Sequence, residues 1–510
     1  MKVIKIPYSQ TNQFSKLIID YLANDKKLAP FINHFPSFNA FAKQIAEKQK
    51  HAINRSVLVE VLKEQKHNLS LSDNSQNNIY ALQSKETFTV TTGHQLCLFT
   101  GPLYFIYKIL STINLAEQLK ETFPQNKFVP VFWMASEDHD FHEINHIKLF
   151  GKRIEWESKQ SGPVGRMNLD GLKNVIEELK SILGEAENAN KLVKLFEQTF
   201  LHHDNLADAT RYLVNELFGK YGLVIIDGDD KRLKQEFVPI IKKDLLENRF
   251  VNTIKECSDD LAKIYKAQAF VRDINFFRLY EGKRELIKGE IIEQEIENNP
   301  ESFSPNVLLR PLYQETILPN IAYIGGGAEV AYCMQLKTAF MQENIPFPIL
   351  VLRNSALIIG DKQKTKLENL GFEVNDLFTT TDKLKKRYAL SNSNMAISLN
   401  TEKNELEKLY NKLLLKTNGI GLQESIKANH QKQLRSFEKL EQKLIRMEKQ
   451  KHENAMNAIS KIKQQLFPEN SLQERHDNFI PFYLKDGDNF IEILKKSLNP
   501  LDANFVVLSN

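Results

Sequence analysis

The sequence predicts an α/β fold built on a parallel sheet and joined to a long α-helical coiled-coil domain. Three observations carry that expectation. Short, continuously apolar runs such as YGLVIID and FPILVLRNSALII alternate with helical patterns, as expected for strands buried on both faces by crossover helices. Polar clusters follow directly behind several of these runs, where a parallel sheet presents its carboxyl ends to ligands. Last, QESIKANHQKQLRSFEKLEQKLIRMEKQKHENAMNAISKIKQQLF runs about 45 residues without glycine or proline. At about 1.5 Å per residue that predicts one helix of roughly 65 Å.

Taken in order, residues 1 to about 85 read as helices and polar connections. Apolar positions in FSKLIIDYLA and FNAFAKQIAEKQ recur three and four apart, and SLSDNSQNNIY is a turn-rich break. TFTVTT is a strand leading into Gly93, the first glycine of the chain. A helix, LYFIYKILSTINLAEQL, follows Pro102, and KFVPVFWMAS is the next strand. YGLVIIDGDD precedes the helical KRLKQEFVPIIKKDLLENRF, an apolar strand precedes Gly325, and FPILVLRNSALII reads as one more buried strand. Residues 151–215 (a hairpin-like SGPVGRMNLDG, then charged helices) and 275–300 (short strands and a helix) look inserted, as covers for a site.

The expected division is a core over 1–380, a helical arm over 381–466 and a segment 467–510 returning to the core. In the arm, LNTEKNELEKLYNKLLLKTNG is one helix, and NGIG breaks it. Leu434, Phe437, Leu444 and Met447, then Ala455, Ile459, Ile462 and Leu466, keep a heptad-like spacing that Lys451 interrupts. This points to an antiparallel helical hairpin or a dimerising coiled coil.

Composition excludes several function classes. Net charge is +4, from 68 basic and 64 acidic residues, too balanced for a nucleic-acid binder. Three widely spaced cysteines, Cys97, Cys257 and Cys333, imply neither a disulfide framework nor a zinc knuckle. No signal peptide and no membrane span are expected, so a soluble cytoplasmic protein is the reading.

Three clusters can carry chemistry. TTGHQLCLFTGP, residues 91–102, is a strand-to-helix turn. Gly93 and Gly101 permit close approach of a ligand to the backbone. Thr100 is placed to cap the helix that Pro102 starts. His94 and Gln95 add donors toward an anion at its N-terminus. In SEDHDFHEINH, residues 136–146, His139, His142 and His146 would share one face if helical. That is compatible with a metal ion, with Asp138, Asp140 and Glu143 as carboxylates. It is equally compatible with binding of substrate amines and hydroxyls. In LLRPLYQETILPNIAYIGGGAEVAYCMQLK, Arg310 sits in a proline-bounded, extended stretch. Gly325, Gly326 and Gly327 form a second glycine turn before a helix, with Glu329 available for an amine or hydroxyl.

Together, TGHQLCLFTGPLYFIYKI, PVFWMASEDHDFHEINH and SPNVLLRPLYQETILPNIAYIGGGAE resemble the BshC family, the cysteine ligases of bacillithiol biosynthesis. The late QERHDNFIPFY segment and the helical arm agree. One departure is Gly-Gly-Ala-Glu at 326–329, where a Gly-Pro-Gly-Glu-like turn is expected. The resemblance implies a Rossmann-like core with connecting-peptide insertions and a coiled-coil domain that makes a homodimer. It also implies ligation of L-cysteine to the amine of glucosaminyl-malate; ATP could activate the cysteine carboxylate as an adenylate or acyl phosphate, and a metal ion is the other possible cofactor. On that basis His94, Asp138 and Asp140 are candidate catalytic residues. Gln95, Lys108, His139, Arg310 and Glu329 would bind substrate. Gly93, His94, Thr100, Gly101 and Gly325–Gly327 would bind phosphate. No lysine-rich KMSKS-type loop is present, since YALSNSNMAISL after KLKKR is not that motif. Two alternatives remain: a metal-dependent hydrolase using His139, His142 and His146, and a non-catalytic coiled-coil scaffold that binds a ligand.

Overall fold

A computed structural model describes residues 2–66, 69–288, 291–393 and 397–509. Residues 289–290 of the second inserted segment and 394–396 of YALSNSNMAISL lie outside them.

The predicted parallel sheet is present, with five strands: β2 (Thr87–His94), β3 (Lys127–Met134), β6 (Val224–Asp227), β10 (Asn320–Gly325) and β11 (Ile349–Leu352). Their spatial order is β11-β10-β2-β3-β6, every neighbouring pair parallel. The first three strands in chain order step one way from β2, and the last two step the other way. That is the doubly wound, Rossmann-like arrangement. Alternate residues of β3 enter two different cores. Val129, Val131 and Trp133 pack on one face; Phe132 and Met134 pack on the other. Burial on both faces is why these strands read as continuous apolar runs. The helix Tyr104–Thr122 is largely apolar because it is buried from Phe105 to Ala116, with Lys108, Ser111, Thr112 and Asn114 as its buried polar residues.

Two readings of strands are corrected. The N-terminal stretch is not wholly helical, because β1 (Lys2–Pro7) pairs antiparallel with the C-terminal β13 (Asn504–Ser509). Only Ile6 of β1 is buried, so its apolar alternation is weak, and its partner is some 500 residues away in sequence. FPILVLRNSALII forms two strands. β11 belongs to the parallel sheet, and β12 (Ala356–Ile359) joins β13 in a separate three-stranded sheet. Arg353, Asn354 and Ser355 divide them as a buried, hydrogen-bonded bend.

The insertions contain the expected charged helices and short strands, but the hairpin is corrected: SGPVGRMNLDG forms only a 3₁₀ turn at Val164–Arg166, and the hairpin lies before it. A hairpin of β4 (His146–Leu149) and β5 (Lys152–Glu155) precedes three helices within 172–218. β7 (Phe276–Tyr280), β8 (Lys283–Leu286) and β9 (Phe303–Pro305) make an antiparallel sheet in the order β8-β7-β9.

In the arm, the helices Asn400–Lys416 and Gln423–Lys451 form an antiparallel hairpin. Lys403 pairs with Glu441 at 2.7 Å, and Tyr410 stacks on His430. The single long helix is corrected: it divides at His452 into Gln423–Lys451 and Glu453–Leu466. Its first part spans 29 residues, or about 44 Å. The division falls directly after Lys451, where the apolar seam was already interrupted. Among the described residues no helix is long and apolar enough to cross a membrane.

Candidate active site at the switch point of the sheet

β2 and β10 are neighbours whose chains depart in opposite directions, so a crevice opens beyond their carboxyl ends. A cavity of about 360 Å³ occupies it. Gly93 and His94 come from β2, Trp133 and Met134 from β3, and Tyr323 from β10. Lys108 and Glu329 reach in from the helices that follow, while Arg284 and Arg310 form the wall contributed by β8 and the segment after β9.

Lys108 lies at the centre. It is buried, donates to the Gly93 carbonyl at 2.6 Å, and pairs with Glu329 at 2.6 Å. Glu329 also accepts from the Gly326 amide at 2.8 Å and the Tyr323 hydroxyl at 2.7 Å. Burial would raise its pKa, but Lys108 and these donors outweigh burial and hold it at about 2. Lys108 therefore reaches the site from within its helix.

His94 is buried beside Tyr104 and Phe105. Burial, then the Lys108 charge, push its pKa down to about 3, so it is neutral at physiological pH. Its Nδ1 lies 2.9 Å from the Gln95 carbonyl oxygen, and an oxygen there requires Nδ1 to carry the proton. Nε2 then keeps a lone pair, which corrects the expectation that His94 donates to an anion. Gln95 is also occupied: its amide bridges Asp138 (2.7 Å) and Glu143 (2.9 Å). The other Asp138 oxygen accepts the His139 amide at 2.7 Å.

Other predicted residues fall elsewhere. Asp140 is exposed and does not line the cavity. Thr100 does not cap the helix. It sits in a 3₁₀ turn at φ +68°, its hydroxyl is buried without a partner, and the helix begins only at Tyr104. The amides of Gly101 and Leu103 go to Leu98 and Asp477 carbonyls. Thus neither Thr100 nor Gly101 offers the cavity an anion cradle. At the second turn the Gly326 amide is already held by Glu329, and Gly325–Gly327 do not line the cavity. The Gly101 and Gly326 amides are thus already bonded within the protein, while Gly93 does line the cavity. Arg310 is not in an extended stretch; it opens the helix Arg310–Ile317, with Pro311 supplying the fixed φ of a first turn.

The three histidines do not share a helix face, because that helix spans only Phe141–Ile144. His139 precedes it and meets Arg284 at 3.0 Å; His146 opens β4 and bonds Asn145. No group of three or more His, Cys, Asp or Glu poised around a metal position occurs among the described residues. All three cysteines are buried and free, and burial pushes the Cys97 thiol up to about 12.

Of the residues in and beside the cavity, Glu137 falls within the polar cluster behind β3, whereas Arg353 and Arg284 carried no sequence signal. Glu137 lines the cavity and pairs at 2.5 Å with Lys234, which is fully buried. Arg353 lies over Tyr104 and pairs at 2.7 Å with Glu474 from the C-terminal segment. Arg284 lies in a segment that reads only as a cover. Contacts formed across 97 to 145 residues leave no local periodicity.

Comparison with known proteins agrees with this architecture. Residues 1–354 match the N-terminal Rossmann-like domain of bacillithiol biosynthesis BshC, and residues 356–510 match its C-terminal coiled-coil domain. A relative from Flavobacterium johnsoniae is 43% identical over 525 residues, covering 99% of each chain. One from Christiangramia forsetii is 42% identical, covering 99% of this chain and 98% of its own. One from Flavobacterium psychrophilum is 42% identical over 99% of each. All three are named "Putative cysteine ligase BshC". Two domains in the family's order and relatives aligned over nearly the whole length place this chain in the BshC family of bacillithiol biosynthesis.

Proposed function

We propose that the chain is a cysteine ligase that joins the carboxyl of L-cysteine to the amine of glucosaminyl-malate, forming an amide in the switch-point cavity. One observation carries the reading. Arg310, which has no ion pair among the described residues, faces the same cavity as the lone pair of His94 and the carboxylate of Asp138. An acceptor with an amine at one end and carboxylates at the other satisfies both sides, because a guanidinium fork matches a carboxylate. The names of the relatives support the reaction class.

An amide forms slowly from a free carboxylate because oxide is a poor leaving group. ATP, as a cosubstrate, would supply the better leaving group. No residue of the glycine turns is assigned to it. The chain's own residues have other tasks. His94 Nε2 accepts a hydrogen bond from the amine and aims its lone pair at the cysteine carbonyl. Asp138 takes the proton the nitrogen loses as the C–N bond forms. The Lys108–Glu329 pair fixes the floor on which both reactants are held together. The reaction belongs in the cytoplasm, where thiols stay reduced. The arm, with exposed Leu409, Leu440 and Met447, pairs two copies into a homodimer.

The test is a mass-spectrometric assay with glucosaminyl-malate and L-cysteine, with and without ATP and magnesium. Amide product dependent on ATP is expected. Product without ATP would overturn the activation step, and no product from folded protein in either condition would overturn the reaction.

A further inference from the structure

Arg284 belongs to β8 of the inserted antiparallel sheet, far from the glycine turns in sequence, yet it lines the cavity with Arg310. Its guanidinium is held firmly. Nε donates to the Ser304 hydroxyl at 3.1 Å, and Nη2 to the Pro305 carbonyl at 3.0 Å. Nη1 meets His139 Nδ1 at 3.0 Å, and the group lies over the Phe277 ring at 4.1 Å. None of these partners carries a negative charge. Arg310 is held in the same manner, by Gln314 and Tyr323.

Every carboxylate lining the cavity is committed elsewhere. Glu137 pairs with Lys234, Glu329 pairs with Lys108, and Asp138 accepts from Gln95 and from its own loop. Two guanidinium groups therefore face one cavity without an ion pair among the described residues. Glu137 and Asp138 act on Arg284 only through space, so each fork keeps capacity for a directly bonded anion. The two are also mechanically joined. Arg284 grips Ser304 and Pro305, while the Asn306 carbonyl accepts the Arg310 amide at 2.9 Å. The Asn306 side chain accepts from Leu308 and Leu309 in the same turn. One short segment thus sets the spacing of both forks.

We propose that Arg284 and Arg310 form a two-pronged clamp for a dicarboxylate, with Arg284 reading the second carboxylate of the amine-bearing acceptor. The inference rests on the acceptor assigned above. It makes the inserted sheet a specificity element as well as a cover, and it makes Arg284 the residue that distinguishes a dicarboxylate acceptor from a monocarboxylate one.

Calorimetric binding tests this without turnover. Full-length wild type, Arg284→Met and Arg284→Lys are titrated with glucosaminyl-malate and with its analogue in which the terminal carboxylate is replaced by methyl. Wild type should prefer the dicarboxylate by about 10- to 100-fold, the worth of one charge-assisted fork. Arg284→Met should reduce that preference to less than about threefold while binding the analogue as wild type does. Arg284→Lys should retain part of it. A full preference in both variants, with unchanged melting curves, would overturn the role of Arg284 alone. Wild type that binds neither compound would overturn the acceptor assignment and this inference with it.

Discussion

The two glycine turns that flank the switch point look alike in sequence and are built oppositely. At the second, Gly326 has an ordinary φ of −72°, and the chain's own Glu329 carboxylate fills the helix start, tied to Lys108. At the first, Phe99, Thr100 and Gly101 all take positive φ, and the turn is plugged from the far end of the sequence. The Asp477 carbonyl takes the Leu103 amide, and Asn478 donates to the carbonyls of Phe99 and Gly101 at 2.8 and 2.6 Å. One turn is an electrostatic device inside the site; the other is a structural joint between core and C-terminal segment. A glycine-rich strand-to-helix turn therefore does not by itself identify a phosphate cradle, because the chain's own groups can occupy it.

The largest combined effect, on stability and on ligation, should come from breaking the electrostatic turn. Lys108→Met leaves the part-buried Glu329 without its cation and should destabilise the fold by about 1–3 kcal/mol, read by urea denaturation. The double variant Lys108→Met/Glu329→Gln should recover most of that stability without recovering ligation. Stability that stays low in the double variant would show that the pair is not the cause.

Alanine at the two glycines sharpens the contrast. At Gly101 a Cβ would stand 2.7 Å from Cys97 Cβ, on a backbone at φ +63°, so Gly101→Ala should cost about 2–3 kcal/mol. At Gly326 the nearest atom is a Glu329 oxygen at 3.3 Å, and φ is ordinary. Gly326→Ala should cost less than about 1 kcal/mol. Equal costs would erase the distinction. Asn478→Ala should weaken only the first turn, by about 1–2 kcal/mol for the two lost bonds, with the KM for cysteine unchanged.

The smallest effect is a pH slope. His94 sits at about 3 when folded, against roughly 6.5 in an unfolded chain. Between those values the unfolded state binds the extra proton, so stability falls as pH drops from about 6.5 toward 3. His94→Asn should remove about one proton from that slope, measured from denaturation midpoints at successive pH values. Glu329 contributes with the same sign at lower pH: its stabilisation is present above about 4.5 and is lost as pH falls toward about 2. An unchanged slope in His94→Asn would contradict the buried neutral imidazole.

What the sequence made legible follows the range of the interactions. TFTVTT, KFVPVFWM and LVIID read correctly because a doubly buried strand writes its burial into every residue. The clusters behind them marked the correct edge of the sheet, and the cavity opens there. The turn occupants were not legible. Asp477 and Asn478 lie some 375 residues from the turn they close, and Lys234 lies 97 residues from Glu137. A proline after Arg310 reads as extended chain yet starts a helix, because the first helical position tolerates the missing N–H. The break at His452 was foreshadowed only by Lys451 in an apolar seam.

The central claim is that ligation occurs in the switch-point cavity, with Arg310 holding the acceptor. The most direct measurement is steady-state ligation by wild type and Arg310→Met, with melting curves to confirm equal folding. The account predicts a KM for glucosaminyl-malate raised about 10- to 100-fold in the variant, with the KM for cysteine little changed. An unchanged KM for glucosaminyl-malate in a folded variant would contradict it and move the reaction out of this cavity.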